Sequence, residues 1–299
     1  MIILFQVVLP VFLVFLAGYL AQKVFGLHIK SISTVALYLM TPALVFRTFY
    51  ETELGSTYLH IVIYGITLSV SLIILVKVIS FLKNYKPSVT SAFVLATAFM
   101  NNGNLGTPII LFAFGEKGFQ YAVTIMVFHT IIMSTLGIYY AAKGRFDITD
   151  SLLSVLKMPI VHGGILGLLW QYWNLPMPEN IFKAIKMVGD AAIPTIMLVL
   201  GMQLAEIKLS NFDWGKIVLA LLMRLLISPA IAWVIVMLLP VEPLLGKVMI
   251  VEAAMPTAVI TTMYALQYDS EPNLVSSITF VSTLLSIVTL SILLNVITW

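Results

Sequence analysis

Asn101-Asn102-Gly103-Asn104-Leu105-Gly106-Thr107-Pro108 lies in the middle of a hydrophobic segment, 88–112, and its reading decides the fold. Three asparagines, two glycines and a proline are out of place in an uninterrupted apolar helix. Proline lacks an N–H and blocks the preceding turn. Glycine tolerates unwound backbone, and asparagine amides can bond freed carbonyls or a ligand. Non-helical backbone at membrane depth is tolerated only where it is buried in protein or lines a wet cavity. The run therefore predicts a helix broken inside the bilayer. The helix is expected to restart near Pro108, offering free N–H groups and a positive dipole end to a carboxylate.

The surrounding composition requires a membrane. Of 299 residues, 61% are hydrophobic and 10% charged, against about 25% charged in an average soluble domain. Cysteine is absent and the net charge is +3, which rules out disulfides and thiolate metal sites. No basic patch suited to nucleic acid is present. The first charge is Lys23, so the start lacks the basic region of a cleaved signal peptide and 2–21 reads as a retained span.

Hydropathy places ten spans at 2–22, 31–50, 57–82, 88–112, 118–142, 151–173, 180–205, 213–239, 244–266 and 273–298. The fold class is thus an all-α polytopic membrane protein. Basic residues in short loops set orientation. With the N-terminus outside, the inner loops hold Lys23, Lys30, Lys83, Lys86, Lys143, Arg145, Lys208 and Lys216, and the outer loops Lys117, Lys183, Lys186 and Lys247. Both termini are expected outside an inner, cell membrane; the 266–273 loop, with Asp269 and Glu271, lends no support. The chain also divides into two halves. Thr41-Pro42 and Ile193-Pro194 occupy the second and seventh spans, the 101–108 run and Glu252-Ala253-Ala254-Met255-Pro256-Thr257 the fourth and ninth. Pro42 to Pro108 is 66 positions and Pro194 to Pro256 is 62. Five spans per half predict an inverted repeat with a midplane site where broken helices 4 and 9 meet; frequent prolines in membrane helices are the plainer reading.

Several side chains could carry chemistry. Asn101, Asn102, Asn104, Pro108, Pro256 and Thr257 form the expected substrate site, with Thr261 and Thr262 as further polar lining. Glu252 lies four residues before Pro256, and a carboxylate at that depth suggests function: binding sodium, carrying a proton, or pairing with a base. An interfacial position is the alternative. Asp190 admits a proton or cation role or a pair with Lys186. Arg224, mid-span in the eighth, is a counter-charge for Glu252 or for an anionic substrate, or part of a structural pair. His129 could relay protons or be a packed, hydrogen-bonded histidine. Lys77 and Lys157 lie close enough to span ends to snorkel. Thr279, Ser282, Ser286 and Thr289 put hydroxyls on one face of the tenth span, as pathway lining or as helix glue. Gly163 and Gly167 suggest close helix packing or a dimer contact.

Taken in order, Thr41-Pro42-Ala43, the 101–108 run, Ala192-Ile193-Pro194 with Leu200-Gly201-Met202, and Glu252 to Val259 resemble the auxin efflux carrier family, which includes bacterial malonate-type carriers and plant PIN proteins. The resemblance implies a fold of the bile-acid sodium symporter type with crossing helices 4 and 9. It implies a scaffold domain (1–54 and 151–208; spans 1, 2, 6, 7) that could dimerise. It also implies a transport domain (55–150 and 209–299; spans 3–5, 8–10) that moves as an elevator. Family substrates are organic anions, mostly carboxylates. Asn101 matches a substrate-binding asparagine of the plant members, and Pro108 and Pro256 match the crossover prolines. The long central loop of many plant members is missing here. The leading expectation is a non-enzymatic carrier of a small organic anion, with no cofactor beyond a coupling proton or sodium ion. Alternatives are a sodium-coupled bile-acid or sterol symporter, a channel, and an intramembrane enzyme; against the last, no zinc or nucleophile motif occurs.

Overall fold

The computed structural model describes residues 3–52, 55–142, 155–207 and 213–297. Lys143, Arg145 and Lys208, on which part of the orientation argument rests, lie outside the described residues. Helices α1 (Leu4–Phe25), α2 (Ile29–Glu51), α3 (Thr57–Leu82), α5 (Asn102–Ala141), α7 (Glu179–Glu206), α8 (Trp214–Leu238) and α11 (Pro272–Ile297) are each long and apolar enough to cross a membrane. Shorter helices are α4 (Pro87–Thr97), α6 (Pro159–Tyr172), α9 (Pro243–Ala253) and α10 (Ile260–Gln267). Among the described residues there is no strand, only one isolated antiparallel bridge, Met100 to Thr257. This is an all-helical polytopic membrane protein.

The segments read as broken spans four and nine are each in two pieces. One is α4 followed by the start of α5, which kinks at Gly115, where φ is 66°. The other is α9 followed by α10, with non-helical chain between Ala254 and Val259. In the second, Pro256 denies the i to i−4 ladder a donor; in the first, Asn101 takes a non-helical conformation and its N–H bonds across to Pro256 instead of to its own helix.

Proline shapes the unbroken helices too. Wide π turns at Leu4–Val8, Ala36–Met40, Asn102–Gly106 and Met223–Ile227 are followed at once by Leu9-Pro10, Thr41-Pro42, Thr107-Pro108 and Ser228-Pro229. A proline ring collides with the carbonyl four residues earlier, and widening the preceding turn makes room for it. Thr41 and Thr107 return hydroxyl hydrogen bonds to Ala36 and Gly103 carbonyls of those turns, at 2.8 and 2.7 Å.

Outward faces are apolar. Leu13 and Leu20 on α1, Ile74 and Phe81 on α3, and Val288 and Ile292 on α11 are exposed, as lipid-facing side chains should be. Buried side chains of α3, α4, α5, α8, α9 and α11 share one core. Two close crossings join α1 to α7 and α2 to α6. At the first, a Cβ on Gly18 or Gly201 would strike the backbone of Leu198 or Phe15. At the second, a Cβ on Gly163 would lie 2.5 Å from the Pro42 carbonyl oxygen, and one on Gly167 2.6 Å from that of Phe46. Gly163 and Gly167 are therefore occupied inside the chain, which overturns them as a dimer contact. Without a hydrophobic drive between helices in lipid, small residues that let backbones touch supply the packing.

Candidate functional site: the crossing of two broken helices

After Thr97 the chain leaves helical geometry, and Asn101 sits at φ −85°, ψ 62°. It meets the break after Ala253 head-on. The Asn101 N–H donates to the Pro256 carbonyl at 2.9 Å, and the Ala258 N–H donates to the Phe99 carbonyl at 3.1 Å. The Thr257 hydroxyl donates to the Ala96 carbonyl at 2.6 Å, and the Thr257 N–H donates to Ser282 Oγ at 3.3 Å. Backbone groups that lipid could not satisfy thus satisfy one another. The two breaks, about 155 positions apart in sequence, form one crossing.

The helix restart differs from expectation. It begins at Asn102, six residues before Pro108, because the Asn101 carbonyl accepts the Leu105 and Gly106 N–H groups at 3.3 and 3.0 Å and opens a π turn. Pro108 follows this π turn directly, and the widened turn makes room for its ring. The positive end of α5 therefore lies at Asn102–Asn104.

The side chains gathered here are buried and in part without partners. Asn101, Asn102 and Glu252 are 4%, 2% and 0% exposed. Asn101 Nδ2, both amide atoms of Asn102 and both carboxylate oxygens of Glu252 make no hydrogen bond among the described residues. Glu252 is thus fully buried near the end of α9. Its carboxylate lies directly against Gly106, where a Cβ would collide with it. An acidic group therefore faces the first turn of α5, the electropositive end of a helix. Pro108 and Pro256 are buried and Asn104 is half-buried. Thr257 is fully buried with its hydroxyl committed to Ala96. Thr261 and Thr262 hydroxyls donate to the Ala258 and Val259 carbonyls, both at 2.7 Å, so each is committed to the chain at the start of α10.

His129 on α5 is 3% exposed, hydrogen-bonds the Ala98 backbone, and leaves Nε2 without a partner among the described residues. Its ring centroid lies 6.2 Å from that of Phe99, so it belongs to the wall of the crossing. Thr279, Ser282 and Ser286 are fully buried. They bond their own helix, except that Ser282 also receives Thr257.

Arg224 and Asp190 differ from their expected pairings. Arg224, fully buried, makes no ion pair among the described residues. It donates to the Thr97 carbonyl at 2.7 Å, to Ser228 Oγ at 2.5 Å and to the Ala253 carbonyl. Asp190, exposed, is paired with Arg47, not with Lys186. Arg47 also approaches Glu51 at 3.4 Å. Sequence reasoning passed over Arg47, although an arginine beside Phe46 in a hydrophobic span was a signal. It likewise passed over Ser228, one turn beyond Arg224 and just before a proline.

Known proteins resemble the chain over its length. An uncharacterized transporter of Methanocaldococcus jannaschii is 30% identical over 96% of each chain. One of Methanothermobacter thermautotrophicus is 29% identical over 95% of each. Auxin efflux carrier component 6 of Arabidopsis thaliana is 26% identical over 44% of this chain and 24% of its own length. The family model described as membrane transport protein matches residues 3–294. With crossed broken helices in an all-helical membrane fold and a match along nearly its whole length, the chain belongs to the membrane transport protein family of the auxin efflux carriers.

Proposed function

We propose that the protein is a secondary carrier of a small organic anion, of carboxylate or dicarboxylate type, working by alternating access. The observation that carries this reading is the set of buried, unpartnered polar atoms of Asn101, Asn102 and Glu252 at the crossing. Unsatisfied polar groups at such depth are costly, and a ligand that bonds them recovers that cost. The substrate carboxylate sits at the start of α5, against Asn101, Asn102 and Asn104, with the Pro108 and Pro256 backbones and Thr257 shaping the crossing.

Glu252 competes for the same electropositive helix end. One negative charge is accommodated there, either the Glu252 carboxylate or that of the substrate. A cation taken up by Glu252, a proton or sodium, frees the end for the anion and couples the two. Asp190, already paired with Arg47, is outside this scheme, and His129 is a wall residue able to pass a proton. The ten-span plan of two inverted five-helix halves is supported by the equivalent glycine crossings, α1 with α7 and α6 with α2. In this plan 1–54 with 151–208 form the scaffold and 55–150 with 209–299 move as the elevator. The scaffold is the surface for a homodimer, and both termini lie outside the cell membrane.

The test is uptake of labelled malonate and related dicarboxylates into proteoliposomes under separate proton and sodium gradients, alongside Glu252→Gln. Saturable uptake driven by a gradient and lost in the variant is expected. Uptake indifferent to both gradients and to the substitution would leave a facilitator and remove Glu252 from coupling.

A further inference from the structure

Arg224 is the largest fully buried side chain of the described residues, and no carboxylate among them pairs with it. Such a charge is costly to bury, so what surrounds it should explain it. Nη1 donates to the carbonyl of Thr97, the last residue of α4. Nη2 donates to the carbonyl of Ala253, the last residue of α9, and to Ser228 Oγ. Ser228 in turn donates to the same Ala253 carbonyl at 2.8 Å. Met100 Sδ lies 3.7 Å from Nη2. The guanidinium therefore bridges the C-terminal ends of both broken helices at the points where they break.

Helix C-termini leave carbonyls unpaired and carry partial negative charge. In transporters built from broken helices, such ends and unwound carbonyls commonly coordinate the coupling sodium ion. Here the carbonyls at both ends accept hydrogen bonds from one side chain. We propose that Arg224 is the built-in cation of the crossing, standing where a bound metal cation would otherwise bridge the paired helix C-termini, so that the crossing forms without sodium. Through Met100 it also positions Asn101, the next residue. The inference rests on the reading of the crossing as the substrate site and narrows its coupling ion to the proton. Sodium loses the carbonyl ligands it would need.

The experiment is thermal unfolding of the purified full chain, in sodium chloride and in choline chloride at matched ionic strength, with no substrate. The parent should unfold at the same temperature in both salts. Arg224→Ala should unfold earlier in choline and recover part of the loss in sodium, because the oxygens of Thr97, Ala253 and Ser228 are released. Arg224→Lys, which keeps the charge, should stay indifferent to sodium. A sodium-specific rise in the parent overturns the assignment, and so does an Arg224→Ala loss untouched by sodium. If Arg224→Ala yields no folded protein, the parent alone decides. Failure of dicarboxylate uptake would remove the substrate reading and leave this result standing. A sodium requirement in the parent would do the reverse.

Discussion

At the residue scale, the crossing separates side chains that hold structure from those that wait for a ligand. Asn101 Nδ2 has no partner among the described residues, so Asn101→Ala should abolish dicarboxylate binding while leaving the unfolding temperature nearly unchanged. Equal binding by variant and parent would displace the site. Gly106 and Gly103, three positions apart on one turn, should respond differently. A Cβ at Gly106 runs into the Glu252 carboxylate, whereas at Gly103 it meets the sulfur of flexible Met126 at 3.1 Å. Overpacking costs about 1–3 kcal/mol where the neighbour cannot move. Gly106→Ala should therefore lower both stability and uptake, and Gly103→Ala should change either only slightly; paired melting and transport assays would show the contrast.

At the element scale, the interrupted helices are held by a few hydrogen bonds across the breaks. Thr257→Val removes the donor to the Ala96 carbonyl and leaves that acceptor buried without its hydroxyl partner, a loss of about 1–3 kcal/mol. The expected result is a lower unfolding temperature, with weaker substrate binding as the crossing loosens. A second tie joins α5 to the turn before α9. Tyr121 donates to Glu242 at 2.8 Å and Lys117 lies 3.1 Å from it. The Tyr121 hydrogen bond, then Lys117, holds the Glu242 carboxyl below its usual range. A carboxylate depressed in the folded state contributes stability that is complete above its unfolded pKa and lost as pH falls through the folded one. Glu242→Gln should thus melt earlier than the parent at neutral pH, and the difference should shrink in acid below about pH 4. A difference constant with pH would mean the tie is not ionic.

At the scale of the whole molecule, close helix crossings and one ion pair assemble the helices read as scaffold. Gly201 admits no Cβ because the Phe15 carbonyl fills the space, while Gly215 has only Asp213 Oδ1 at 3.5 Å. Gly201→Leu should therefore sharply reduce the yield of folded protein, and Gly215→Ala should be tolerated. The Arg47–Asp190 pair joins α2 to α7, and Asp190 is exposed whereas Glu252 is fully buried. Asp190→Asn should cost stability while leaving the gradient dependence of uptake as in the parent, in contrast to Glu252→Gln.

What the sequence determined by itself follows from lipid being the solvent. Long apolar segments must be helices, and prolines and asparagines inside them must mark interruptions. Hence the membrane class, an interruption near the 101–108 run, another around Glu252 to Thr257, and the family were all legible from Asn101, Pro108, Glu252 and Pro256 in order; the structure puts the non-helical chain itself at 98–101 and 254–259. The tertiary structure decided what depends on segments distant in the chain. Only it shows that the Asn101 N–H finds Pro256, that Glu252 rests on Gly106, that Asp190 pairs with Arg47, and that Gly163 and Gly167 pack on α2. It also moved the restart of α5 from Pro108 to Asn102, because a π turn can absorb a proline that one-dimensional rules treat as a stop. The role of Arg224 was least legible. Its partners are main-chain carbonyls, which every residue possesses and no residue type announces, and they become a site only when two broken helices end at the same place.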